Sequence, residues 1–230
     1  MPPLVAQAAC VHGARVKVIV TCGPSYEPID EVRRITNFST GELGIVLANR
    51  LTREGFEVLC FKGAGATCPL RVEGARPIDF TTNESLRAGL AAVEDRREVG
   101  AVFHAAALCD YGVKSVSAED GAHVAAAKIP SRAGALTLTL EMLPKLIAEL
   151  RGLFPASRIV GWKYELTGTR EDVLAAAERQ MREASTAACV VNGAAFGAGF
   201  GVCEPGAEPV LCADKARLCA WLSRWIERAK

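Results

Sequence analysis

Residues 15–55 read RVKVIVTCGPSYEPIDEVRRITNFSTGELGIVLANRLTREG, and this stretch decides the fold. Arg15 to Thr21 is a short apolar run that Gly23-Pro24 stops, as a strand entering a turn is stopped. From Glu42 to Glu54, Leu43, Val46, Leu47 and Leu51 fall on one helical face, and Gly55 closes the run as a C-terminal cap does. Between them lies Ile35–Gly44, ITNFSTGELG, a polar loop shaped to hold a phosphate at a helix start. It is neither a Walker loop nor a GxGxxG dinucleotide loop.

The alternation of strand and helix continues outward from there. Phe56–Phe61 reads as a strand, 62–77 as turn-rich chain, 84–97 as a helix with Leu86, Leu90 and Val93 inward, and Val99–Ala106 as a strand apolar enough to be covered on both faces. Further on come a strand at Leu136–Leu140, a short helix at 143–150, a strand at Ser157–Trp162, a helix at 170–184 and a strand at Ala187–Val191. Val202 and Val210–Cys212 suggest a terminal hairpin, and Asp214 caps a last helix that turns Leu218, Leu222 and Trp225 inward. The pattern predicts an α/β three-layer sandwich: a Rossmann-like, mostly parallel sheet with right-handed crossovers, a C-terminal β-hairpin and a final helix. Residues 1–15 read as an N-terminal extension and 16–230 as a single domain.

Composition narrows the function. The chain has 230 residues, half of them apolar, and a formal net charge of +1, which offers no electrostatic footprint for nucleic acid or an anionic membrane. No apolar run reaches the ~18 residues needed to span a bilayer, and the opening lacks the basic region of a secretory signal, so a cytoplasmic location is expected. The nine cysteines contain no CxxC pair, and His12, His104 and His123 are scattered, so zinc spacing is lacking. Cys60, Cys109 and Cys189 fall inside apolar runs and are expected to be buried free thiols.

Ligands of such sheets bind outside the carboxyl ends of strands, near the point where strand order reverses. The candidate places are Thr21–Tyr26, His104–Tyr111, Trp162–Glu165 and Asn192–Gly193. Ser39-x-x-Glu42 has the spacing of a capping box, which needs no ligand. Ser39, Thr40 and Gly41 can also present backbone amides at a positive helix end, and the two roles are compatible. Neither explains Asn37, whose amide can donate to an oxyanion and accept from a nucleophile.

Six segments in order carry a resemblance: VTCGPSYEPIDEVRRITNFSTGELG (20–44), HAAALCDYGV (104–113), AKIPS (127–131), LTLTLEMLPKLIAEL (136–150), GWKYELTG (161–168) and CVVNG (189–193). Together they resemble the phosphopantothenoylcysteine synthetase (phosphopantothenate–cysteine ligase) family over nearly the whole chain. The resemblance implies a nucleoside triphosphate-dependent ligase of coenzyme A biosynthesis that joins 4'-phosphopantothenate to cysteine through an acyl nucleotidylate. It implies that Asn37 handles the activated carboxylate and that Lys128 supplies a charge for phosphates and the acyl intermediate. Gly23, Ser39, Thr40, Gly41, Ala106, Ala107, Asp110, Lys163 and Asn192 match nucleotide-binding positions, and Pro144 and Trp162 match positions lining the base. Mg2+ with ATP or CTP is implied as co-substrate, with small-molecule substrates as partners and a homodimer as the assembly. The segment 112–135 is implied to be a covering flap or dimer segment. Bacterial relatives are fused behind an FMN-binding domain, and no FMN is expected here.

The sequence departs from the family pattern in three places. Glu42 stands where relatives place Lys or Arg, which puts repulsion on the order of 1 kcal/mol near a phosphate at an exposed site. Met142-Leu143-Pro144-Lys145 replaces an Asn-Pro-Asp-Ile element, and Gln180 and Ala184 replace lysines that accompany CTP use. These, with Lys163, resemble the stand-alone eukaryotic-type enzyme and favour ATP. Glu42 also suits a second reading, a nucleotide-binding relative that acts on another carboxylate or on none. An NAD(P)-dependent oxidoreductase is the remaining alternative, and the missing GxGxxG speaks against it.

Overall fold

The chain from Lys17 to Cys22 (β1) lies inside an eight-stranded sheet, hydrogen-bonded in parallel to Glu57–Gly63 (β4) on one side and Val99–His104 (β6) on the other. The computed structural model describes residues 15–228; His12 and the expected 1–15 extension, apart from Arg15, lie outside them. Beyond β4 is Arg76–Phe80 (β5), and beyond β6 come Arg158–Tyr164 (β9), Ala188–Asn192 (β10), Phe200–Cys203 (β11) and Val210–Cys212 (β12). The order is β12-β11-β10-β9-β6-β1-β4-β5, with neighbours paired in parallel except at β10–β11 and β11–β12, where the reversed β11 pairs antiparallel on both sides. The α/β architecture and terminal hairpin read from the sequence are both present.

Alternation along β1 divides the core. Val18, Val20 and Cys22 face Glu42–Arg53 (α1) and Lys215–Glu227 (α5), with Leu47, Leu51, Leu218, Leu222 and Trp225 in one buried cluster. Ile19 faces the opposite layer, where Leu86 and Leu90 of Asn83–Ala91 (α2) meet Leu146 and Leu150 of Leu146–Leu153 (α3). The third helix of that layer, Arg170–Ala184 (α4), covers Cys189 and Val191 with Val173, Ala177 and Met181. Helix α1 ends as its sequence implies: Gly55 takes φ +92°, and the N–H groups of Gly55 and Phe56 donate to the carbonyls of Thr52 and Leu51, the Schellman arrangement. Cys60, Cys109 and Cys189 are buried free thiols.

Three elements depart from the expectation. Strand β5, which the sequence reading did not expect, starts in the last two residues of the turn-rich chain and runs past it; its Pro77 sits on the sheet edge, where a missing N–H is tolerated. Helix α2 stops at Ala91, and a 3₁₀ turn at Arg96–Glu98 leads into β6. The strand expected at Leu136–Leu140 exists as Leu136–Met142 (β8), but it does not join the main sheet. It pairs antiparallel with Tyr111–Ala118 (β7), forming a two-stranded arm. A second small ribbon, Tyr26–Pro28 (β2) with Arg34–Thr36 (β3), lies in the loop between β1 and α1.

Candidate active site

The switch in strand order falls between β1 and β6: from β1 the chain proceeds to β4 and β5 on one side, and to β6, β9 and β10 on the other. Everything that leaves the carboxyl ends of these two strands therefore converges on one crevice.

The strand exits are laced together. The Ala107 N–H donates to the Gly23 carbonyl (2.9 Å) and the Ser25 N–H to the Ala107 carbonyl (3.2 Å). The buried Ser25 hydroxyl donates to Asn83 Oδ1 (2.7 Å) and accepts from the Cys109 N–H (2.8 Å), and Asn83 Nδ2 donates to the Cys109 carbonyl (2.7 Å). One layer lower, Thr21 Oγ1 accepts from the Ala106 N–H (3.2 Å) and contacts His104 Nδ1 (2.9 Å). Burial lowers the His104 pKa to about 4, so the ring is neutral at pH 7.

The loop before α1 sits directly on these exits. Gly23 and Gly41 have φ of +79° and +76°, and a Cβ added to Gly41 would lie 3.3 Å from the Gly23 Cα, so both the conformation and the approach need glycine. Asn37 Nδ2 donates to the Leu108 carbonyl at 2.8 Å, tying the loop after β3 to the loop after β6. Ser39 and Glu42 do not form the capping box their spacing suggests. The left-handed Gly41 is itself the N-cap, and no side chain caps the helix. Glu42 is the first helical residue; its N–H donates to Thr40 Oγ1 (3.3 Å), while its carboxylate pairs with Lys215, the first residue of α5. Capping boxes do occur at Thr82/Ser85 and Thr169/Asp172.

Gly23, Asn37, Ser39–Gly41, Ala106 and Ala107 thus come together at the crevice. Asp110 follows at its rim, ion-paired with Lys145, and its carbonyl accepts from the Leu143 N–H (2.9 Å). The exposed Pro144 lies between them on a cleft of about 250 Å³ that Glu27, Asn83 and Arg87 also line. Trp162 and Lys163 precede Tyr164, the last residue of β9, next to β6. The Trp162 indole packs on the α1/α5 side, and its buried Nε1 has no partner among the described residues. Asn192 ends β10, one strand further out, where its carbonyl accepts from the Glu165 N–H (3.0 Å).

Lys128 stands apart. It is an exposed residue of the loop joining β7 to β8. Its neighbours dock on the turn of the β2–β3 ribbon: the Ala127 carbonyl accepts from the Glu31 N–H (2.9 Å), and the N–H of the buried Ile129 donates to Asp30 Oδ2 (3.1 Å). Enclosure would raise the Asp30 pKa, but the N–H groups of Ile129, Val32 and Arg33, with the Arg33 guanidinium, outweigh it and bring the pKa to about 2. Asn37 follows β3, three strand residues away from that turn, which is a span of about 10 Å. Asn37 and Lys128 accordingly flank the two ends of one ribbon without touching.

The sequence reading missed Lys145, Lys215 and the Ser25–Asn83 pair. Lys215 is 173 positions from its partner, and nothing local marks it. Among the described residues, no three His, Cys, Asp or Glu side chains are grouped to hold a metal, and no helix is long and apolar enough to cross a membrane.

Comparison with known proteins places this fold in a family. The bifunctional coenzyme A biosynthesis protein CoaBC of Thermococcus kodakarensis is 32% identical over 177 residues, which cover 76% of this chain and 41% of that protein. The chain therefore spans less than half the length of that relative. The crystal structure of the DNA/pantothenate metabolism flavoprotein from Streptococcus pneumoniae superposes with a TM-score of 0.81 at 21% identity, covering 94% of this chain and all of that one. A Cab2 variant in complex with phosphopantothenate-cysteine gives a TM-score of 0.67 at 14% identity, covering 93% of this chain and 88% of that one. These structures share the fold. Residues 12–216, nearly the whole chain, match the family described as the DNA/pantothenate metabolism flavoprotein C-terminal domain, and the chain belongs to that family.

Proposed function

We propose that the protein is a phosphopantothenate–cysteine ligase of coenzyme A biosynthesis. A carboxylate oxygen of 4'-phosphopantothenate attacks the α-phosphorus of a nucleoside triphosphate, and pyrophosphate leaves. The amine of cysteine then attacks the acyl carbon of the nucleotidylate, the nucleoside monophosphate leaves, and the amine gives up a proton. Mg2+ arrives with the triphosphate as part of the substrate, in keeping with the lack of a carboxylate cluster among the described residues.

The observation that carries this reading is the Asn37 amide, fixed by the Leu108 carbonyl over the β1/β6 crevice beside the uncapped start of α1. One Nδ2 hydrogen is used in that bond; the other and Oδ1 are left for the acyl centre. The α1 amides and the Gly23 and Ala106–Ala107 backbone would receive the phosphates and ribose, and Trp162 the base. Lys128 would add its charge when the arm folds over the crevice, as a closing flap does. A homodimer is supported by the exposed apolar side chains at the arm base, Tyr111, Leu140 and Met142. ATP is favoured over CTP because neither α4 position that would carry a lysine supplies a cation. Ala184 is buried, and Gln180 turns its amide to Cys189.

The test is release of pyrophosphate from ATP or CTP, first with phosphopantothenate alone and then with cysteine. Release with phosphopantothenate and amide product on adding cysteine is expected. Release only with a different acid reassigns the substrate, and none with any acid makes this a binding protein.

A further inference from the structure

Glu42 is a poor choice for the place it occupies. As the first residue of α1 it puts a carboxylate among the free amides that give the helix start its partial positive charge. Left alone it would cancel much of that charge and repel any polyphosphate arriving there. It is not left alone. Helix α5 runs alongside α1, and its first residue, Lys215, holds the Glu42 carboxylate in an ion pair. Both side chains are about two-fifths exposed, 42% and 41%, so the pair adds little to folding stability. Its consequence is the local charge, since it makes the α1 start neutral apart from the backbone dipoles.

We propose that Lys215 is a positioning residue of the nucleotide site, acting through Glu42. It neutralises the Glu42 carboxylate and holds it toward α5, so that the phosphates of a nucleoside triphosphate meet the α1 amides without repulsion. The cation that the local sequence lacks after Gly41 is supplied from the other end of the chain. This rests on the ligase reading only in requiring that a triphosphate bind at α1.

Calorimetric binding of Mg–ATP and of Mg–CTP to the full chain tests it, with Lys215→Gln, Glu42→Gln, the double variant and Lys215→Arg. Lys215→Gln is expected to weaken binding about fivefold at low salt, or about 1 kcal/mol, with the difference shrinking as salt rises. Glu42→Gln, the double variant and Lys215→Arg are expected to bind within about twofold of wild type. Restoration in the double variant is the signature, because a merely structural or directly phosphate-binding lysine would not be rescued by removing Glu42. Unchanged binding in Lys215→Gln overturns the inference, as does a double variant as weak as the single one. If the wild-type chain binds neither nucleotide, the ligase reading falls and takes this inference with it. If it binds one normally and Lys215→Gln is indifferent, the inference falls alone.

Discussion

Asn37 and Leu108 lie 71 positions apart, yet the side-chain amide of one donates to the backbone carbonyl of the other at 2.8 Å. The bond fixes the register between the two loops that wall the β1/β6 crevice. An aspartate at 37 keeps the shape but turns the donor into a second acceptor facing the carbonyl. Asn37→Asp is therefore expected to slow amide formation by about 10² or more, the scale of losing one oriented donor, and to leave nucleotide affinity within a few fold. Pre-steady-state nucleotidylate formation and calorimetry separate the two quantities. Wild-type turnover would remove Asn37 from the chemistry.

His104 ties acid stability to the same crevice. Its folded pKa is lowered by burial to about 4, against an ordinary value near 6.5. The unfolded chain thus takes up a proton that the folded chain refuses, and stability falls as pH drops from about 6.5 to about 4. Between pH 7 and pH 5 the loss from this group is about 2 kcal/mol. His104→Asn keeps an acceptor near the Thr21 hydroxyl and does not titrate, so its denaturant midpoint should change less over that interval. Equal slopes for both proteins would show that His104 is protonated in the fold.

The parts of this molecule that were legible in the sequence are those whose signal is local. Helix α4 appears with the bounds its periodicity gives, because Thr169 caps it and Val173, Ala177 and Met181 repeat at helical spacing. Strand β8 was legible as a strand but not in its place: the alternation of LTLTLEM marks a ribbon with two unlike faces, and it carries no information on which strand it pairs with. RPIDF was lost because Pro77 reads as a breaker unless the strand is known to be an edge. At the site, the loop asparagine and the glycines announce themselves by type, whereas Ser39/Glu42 misled because one left-handed glycine moves the helix start by two residues. Lys145 and Lys215 could not be found, since a surface lysine gains meaning only from a partner that the fold brings to it.

Gly44 sets how closely α1 lies on β1. A Cβ built there would fall 2.2 Å from the Cys22 Cβ, on the backbone side, where no rotamer change gives relief. Gly44→Ala must lift the start of α1 from the sheet and is expected to cost about 1–3 kcal/mol in denaturant unfolding, despite the higher helix propensity of alanine. Nucleotide affinity should fall with it if the amides of the moved turn receive the phosphates, as proposed above. A variant as stable as wild type would show that the α1–β1 contact has slack.

Lys128 and Asp30 make the last case. Lys128→Gln is expected to lower turnover by about 10² with nucleotide affinity little changed, if the lysine's charge serves the acyl intermediate. Its position depends on Asp30, whose carboxylate gathers the N–H groups of Ile129, Val32 and Arg33. Asparagine presents a donor to at least one of them, so Asp30→Asn should free the arm tip and raise the rate of tryptic cleavage at Lys128 or Arg132 about tenfold. The sign of the pH effect follows from the depressed pKa: docking is fully present above the ordinary carboxylate value near 3.8 and is lost only as pH falls through about 2. Pepsin at pH 3 should therefore still find the wild-type tip protected and the Asp30→Asn tip open. If the two are digested at the same rate, Asp30 does not hold the arm.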